Sequence, residues 1–162
     1  VVTLGEVRRH GDLAQLFGDP VADDDIALLQ EVIEDLLVRD QIDQFPGLQV
    51  EETSVDLYIG QLPDRGALGL DVIRDAVQKR LQKIAYFDLR FRRFTQATEE
   101  EIETYYETVF RPAAVARGLD PMPDLEEMSD LIAENVITEK ADREISAWTA
   151  SLIARSEIEV VE

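Results

Sequence analysis

His10 is the only histidine among 162 residues and the chain contains no cysteine. Any chemistry would therefore fall to carboxylates, hydroxyls and amines, while disulfides, thiolate zinc sites and thiol nucleophiles are excluded. A single histidine rules out His-pair metal motifs and makes a Ser-His-Asp arrangement depend on His10 itself. It stands beside Arg8 and Arg9, and no serine lies in a glycine-flanked elbow; the expectation is a solvated surface histidine. Asp23, Asp24 and Asp25, and Glu99, Glu100 and Glu101, could offer oxygen ligands to a hard cation. Neither run has the alternating spacing and central glycine of a calcium loop, and the attraction of carboxylates to helix N-termini accounts for both. The glycines form neither Gly-x-Gly-x-x-Gly nor Gly-Lys-Ser, so no phosphate cradle is visible. Carboxylates are plentiful, but abundance does not pair an acid with a base. Trp148, the sole tryptophan, falls on a helical apolar stripe and reads as core rather than as a ligand platform. No catalytic centre, metal site or cofactor is expected.

The elements that would position these groups are mostly helices. Thr3 and Glu6 have the spacing of a capping box, in which hydroxyl and carboxylate each satisfy a backbone N–H, and a short helix is expected to about Phe17. Gly18, Asp19 and Pro20 break it. The next helix starts at Asp23 to Asp25, and its apolar positions Ile26, Leu29, Ile33, Leu36 and Leu37, widened by Leu28 and Val32, predict a core helix. Phe45-Pro46-Gly47 ends it, and residues 51–62 form a third helix through Val55, Tyr58, Ile59 and Leu62. Leu70, Ile73, Val77, Leu81, Ile84, Phe87, Phe91 and Phe94 then recur every three or four residues as one stripe, leaving Tyr86 and Leu89 on another face. Thr98 and Glu101 repeat the capping box before a helix through Ile102, Tyr105, Tyr106 and Val109. Residues 111–123, with Pro112, Gly118, Pro121 and Pro123, read as a loop; Asp124 and Glu127 open a final helix through Leu125, Met128, Ile132, Val136, Ile145, Trp148 and Leu152. Strand-like Val1-Val2-Thr3 and Ile158-Glu159-Val160-Val161 bracket the helices, and pairing them satisfies both edges. The helix bearing Trp148 is expected to pack on the first two helices.

At 45% apolar content the chain can bury a real core, and one compact unit spanning 1–162 is expected. Within it, 1–110 forms the N-terminal helical part, 111–123 a loop, and 124–162 a helix and strand packing back. The net charge is −19, distributed as −11 over 1–60, +4 over 61–97 and −12 over 98–162. This balance argues against nucleic acid, whose phosphates need clustered cations. The single basic cluster, with Lys79, Arg80, Lys83, Arg90, Arg92 and Arg93, is expected to face carboxylates of neighbouring helices. No apolar run is long enough to cross a bilayer, so any membrane association is peripheral, and no signal peptide is present. The chain does not begin with Met, which leaves room for an export signal, a tag or a disordered leader ahead of Val1.

The order of these elements resembles the chaperone core of the SurA family. Val1-Val2-Thr3-Leu4-Gly5-Glu6-Val7 is similar to the family's opening strand and first turn, and Val32-Ile33-Glu34-Asp35-Leu36-Leu37-Val38-Arg39-Asp40-Gln41-Ile42 to its second-helix signature. The segment from Gly47 through Val50, Asp56 and Ile59 resembles its turn and third helix. Lys140-Ala141-Asp142-Arg143-Glu144-Ile145-Ser146-Ala147-Trp148, with Leu152, Arg155 and Ile158-Glu159-Val160, resembles its terminal helix and closing strand. The resemblance implies an all-α domain of SurA N-terminal type, closed by its last helix and a short two-stranded pairing. It further implies an ATP-independent chaperone of the periplasm or another exported location, binding unfolded or outer-membrane-bound polypeptides in a groove between the terminal helix and the first three helices. Tyr58, Tyr86, Leu89 and Tyr105, aromatic or apolar and off the main stripe, are the candidate peptide-binding residues, with inter-helix packing as the alternative for each. Relatives carry parvulin domains, with paired histidines, where this chain has only 111–123, so prolyl isomerase activity is not expected. Two alternatives stand beside this: the helical part of an isomerase whose catalytic domain lies elsewhere, and a structural adaptor.

Overall fold

Helix starts fall where side chains can satisfy exposed backbone N–H groups. The computed structural model describes residues 2–45, 47–63 and 68–157. Helix α1 (Leu4–Phe17) begins at Thr3: the Glu6 N–H donates to the Thr3 hydroxyl at 3.3 Å, and the Thr3 N–H donates to the Glu6 carboxylate at 2.7 Å. It stops at Gly18, whose φ of 74° is left-handed and open to glycine at little cost. In α2 (Asp25–Asp43) the Ala27 N–H donates to the Asp24 carboxylate at 2.8 Å. Helix α3 (Glu52–Gln61) follows Glu51, which makes no side-chain cap. Helix α4 (Leu70–Phe87) runs into a π-helical turn, Asp88–Arg92, closed by the Arg93 N–H on the Asp88 carbonyl at 2.8 Å.

The second capping box, Thr98 with Glu101, opens α5 (Glu99–Tyr105), and another π-helical turn, Tyr106–Phe110, leads into α6 (Arg111–Ala116). Residues 111–123 are therefore not all loop. Pro112 sits directly after the π-helical turn, so the helical run that began at Glu99 continues through it to Ala116 where a loop was expected. Helix α7 (Leu125–Arg155) spans 31 residues, and its first turn is held by the Glu127 N–H on the Asp124 carboxylate at 2.8 Å. The protein is mainly helical, and no strand is present among the described residues. The expected pairing of Val1 to Thr3 with Ile158 to Val161 rests on Val1 and residues 158–161, which lie outside them.

Contacts divide the chain into two compact units, each with an apolar cluster of its own. The first unit comprises Val1–Tyr86 and Thr149–Glu162, the second Phe87–Trp148. In the first, Leu16, Val55, Ile59, Ile73 and Val77 make the core, with Phe17, Tyr58 and Leu81 against it. In the second, Tyr106, Ile132 and Val136 are buried, with Ile102, Tyr105, Phe110 and Met128 around them. Helix α2 is less enclosed than its sequence suggests: Val32, Val38 and Ile42 are buried, but Ile26 is 72% and Leu36 49% exposed.

The long apolar stripe of α4 also divides. Ile73 and Val77 are fully buried, whereas Ile84 is 52% and Phe94 80% exposed. At about 100° per residue Ile84 lies close in angle to Ile73, and Tyr86 on nearly the opposite side. It is nonetheless Tyr86 that is buried, with Phe45, just beyond α2, packed edge-on against it at 5.8 Å. The π-helical turn then adds a residue and rotates the positions beyond it by about 100°, which takes Phe94 out of register. Ile73→Ala and Ile132→Ala are each expected to cost about 2–5 kcal/mol, measured as a fall in the urea midpoint. An unchanged midpoint for either would remove that residue from the core.

Candidate functional site

A cleft of about 240 Å³ in the first unit is lined by Leu37, Asp40 and Gln41 of α2 and by Leu152, Arg155 and Ser156 at the end of α7. Spacings of three and four on α2, and three and four on α7, put each set on one helical face. Arg155 is folded back along α7, its Nε donating to the Ser151 carbonyl at 2.9 Å, and Ser156 donates to the Leu152 carbonyl at 2.7 Å. The last turn is thereby satisfied by its own side chains. What faces the cleft is a pair of leucines rimmed by an acid, a base and two neutral polar groups. Such a surface can hold an apolar side chain and orient polar groups beside it.

Charged side chains tie α4 to its neighbours in this unit. Arg80 of α4 donates from both terminal nitrogens to Asp19, at 2.5 and 2.9 Å, with its guanidinium 4.9 Å above the Phe17 ring. Lys83 pairs with Asp35 of α2, and Arg74 with Asp56 of α3 at 2.5 Å. Helix α4 thus meets carboxylates from α2, α3 and the turn after α1. Lys79 instead pairs within its own helix, with Asp75 at 2.7 Å. His10 is half-buried rather than fully solvated, its ring nitrogens 3.4 Å from Glu31 and 3.7 Å from Asp35. With carboxylates on both sides and no hydroxyl in the set, it is braced as a packing contact between α1 and α2.

In the second unit Lys140 donates to Glu101 at 2.7 Å and to the Gln96 carbonyl at 2.8 Å, and Arg92 pairs with Glu134 at 2.6 Å. Trp148 meets Phe87 at 6.1 Å and Phe91 at 5.5 Å, with Arg90 4.8 Å over its ring. The Trp148 ring therefore packs within its own unit, on the last residue of α4 and the π-helical turn after it. The final turn of the helix that bears it lines the cleft with α2.

The four candidate residues separate in the same way. Tyr58 and Tyr86 belong to the first unit, Leu89 and Tyr105 to the second. Tyr58 is half-buried and packs edge-on against Phe17 at 6.0 Å. Tyr86, 2% exposed, is core and offers no surface to a ligand. Leu89 is half-buried on the π-helical turn, and Tyr105 half-buried against the Tyr106–Ile132 cluster. Sequence reasoning took Leu37 and Leu152 as stripe members and gave them no site role; their polar neighbours Asp40 and Arg155 carried no signal of their own. Among the described residues no group of three or more His, Asp or Glu could hold a metal ion, and no helix is long and apolar enough to cross a membrane. No family model matches the chain, and no curated protein and no solved structure matches it.

The Arg80 hydrogen bond, acting against burial, holds the Asp19 carboxyl below its usual range, and the same bond raises Arg80. Lys140 and the Thr98 backbone likewise lower Glu101. A carboxyl depressed on folding adds stability that is complete above its unfolded value, about 3.9 for aspartate, and is lost as pH falls through the folded value. Because both partners are partly solvated, Asp19→Asn is expected to cost only about 0–1 kcal/mol at neutral pH and to flatten the decline in stability below about pH 4. Urea denaturation across that range measures both. An acid decline as steep as in the unsubstituted chain would unlink the pair from stability.

Proposed function

We propose that this chain is a non-catalytic, ATP-independent chaperone-like protein that binds unfolded or outer-membrane-bound polypeptide segments in the periplasm or another exported location. The observation that carries the reading is its display of large apolar side chains, among them Phe94 at 80%, Ile26 at 72%, Leu57 at 68% and Val115 at 66% exposure. Exposed apolar area marks an interaction surface when it is contiguous, and these side chains are the material from which such a surface would be built. The cleft of Leu37 and Leu152 adds a small surface of mixed polarity. Weak, distributed contacts suit a binder that must release clients without nucleotide. A net charge of −19 opposes association of the chain with itself.

Two measurements test this. Light scattering of a denatured β-barrel protein diluted into buffer is expected to fall when the chain is present, and to fall less with Leu37→Ser, compared with an equally acidic inert protein. Equal scattering with and without the chain would remove client binding and leave the adaptor role in front. In a protease-free peptide assay the chain is expected to leave Xaa-Pro isomerisation at its uncatalysed rate of tens to hundreds of seconds. A robust acceleration that survives His10→Ala would overturn the non-catalytic reading.

A further inference from the structure

A second cleft in the first unit, about 280 Å³, lies between the segment entering α3 and one face of α4. Gln49, Val50 and Val55 form one side, Arg74, Gln78 and Gln82 the other. Its composition is unusual for a chain so rich in charge: three side-chain amides face one hollow, and none of them makes a side-chain hydrogen bond among the described residues. Oε1 of Gln82 is shielded from solvent and still has no partner, a costly condition for an acceptor. Val55 is 3% exposed and closes the floor. The charged groups at the rim offset one another, since Arg74 is already held by Asp56 at 2.5 Å and Glu52 stands nearby as the other sign. No aromatic side chain lines the cleft, so it offers no stacking platform for a base.

We propose that this cleft binds one extended polypeptide segment through its backbone, Gln78 and Gln82 pairing with peptide groups two residues apart. A glutamine amide carries both an N–H donor and a C=O acceptor, the same complement as a peptide group. It can therefore satisfy a backbone whatever the side chains are, as strand addition does at a sheet edge. The spacing agrees. Positions 74, 78 and 82 advance along α4 by about 6 Å per step at 1.5 Å per residue, and same-side backbone groups of an extended strand recur at about 6.6 Å. Rotation of the Gln82 amide would turn its orphaned oxygen toward an incoming N–H, while Val50 and Val55 receive a small apolar side chain.

This inference rests on the proposed binding of unfolded segments and names a place and chemistry for it. The test titrates the whole chain into a fluorescein-labelled octapeptide of alternating valine and serine, followed by anisotropy, and repeats it with the same octapeptide N-methylated at every residue. Binding is expected to weaken at least tenfold on N-methylation and by a similar factor in Gln78→Leu/Gln82→Leu, while reversing the order of valine and serine leaves it unchanged. Equal affinity for the two peptides overturns the proposal even if the double variant fails to fold. Equal affinity of the folded double variant and the unsubstituted chain also overturns it. In either case continued suppression of β-barrel aggregation leaves the broader function standing, whereas loss of both peptide binding and suppression sinks the two together.

Discussion

Self-repulsion is the constraint on which the arrangement of helices depends. A chain of net charge −19 can be compact only if its few cations stand where carboxylates would otherwise face one another. In the first unit α4 supplies them: Arg74 meets Asp56, Arg80 meets Asp19 and Lys83 meets Asp35, three carboxylates from three different parts of the chain. Each pair is partly solvated and worth little as an isolated bond, about 0–1 kcal/mol. Their collective effect is on register. Sliding α4 by one turn would leave carboxylates unpaired on several neighbours at once and bring Ile73 and Val77 out of the core, so charge and packing select the same alignment. Lys140 with Glu101 and Arg92 with Glu134 perform the same task in the second unit.

Features fixed by neighbours in sequence were legible in advance. Both threonine capping boxes form as the spacing of Thr3 with Glu6 and Thr98 with Glu101 requires, because three residues are enough to define the geometry. The helical class and most helix limits follow from the same local rules. What the sequence concealed is set by distant partners. Tyr86 packs against Phe45, 41 positions earlier, and the ring of Trp148 is engaged by Phe87 and Phe91. A periodicity count assumes one buried face along the whole helix, and α4 changes the face it buries after Leu81. The π-helical turns break the period itself, and one of them leads the helix on through Pro112, where a break was expected.

The clefts were harder to see for a different reason. Leucine at positions 37 and 152 reads as core, and an exposed glutamine reads as solvated surface; neither residue type signals binding on its own. Only the folding of α3 against α4 puts Gln49 across from Gln78 and Gln82. The tyrosines that did attract notice are more deeply engaged in packing than the glutamines, since an aromatic side chain of large area gains most where it is enclosed.

Under the proposed role as a binder of unfolded segments, small clefts are an advantage rather than a deficiency. Both are below the roughly 300–1,000 Å³ of sites that enclose a small-molecule ligand, so neither can retain a chain on its own. An unfolded client, however, offers many segments, and once one is held the next binds as an intramolecular event at raised effective concentration. Retention then depends on how much of the client remains extended. As the client folds it withdraws backbone groups into its own helices and sheets, the number of simultaneous contacts drops, and release proceeds without any energy source in the binder. A single deep pocket would lose that dependence, because it would hold one segment equally well whether the remainder of the client had folded or not.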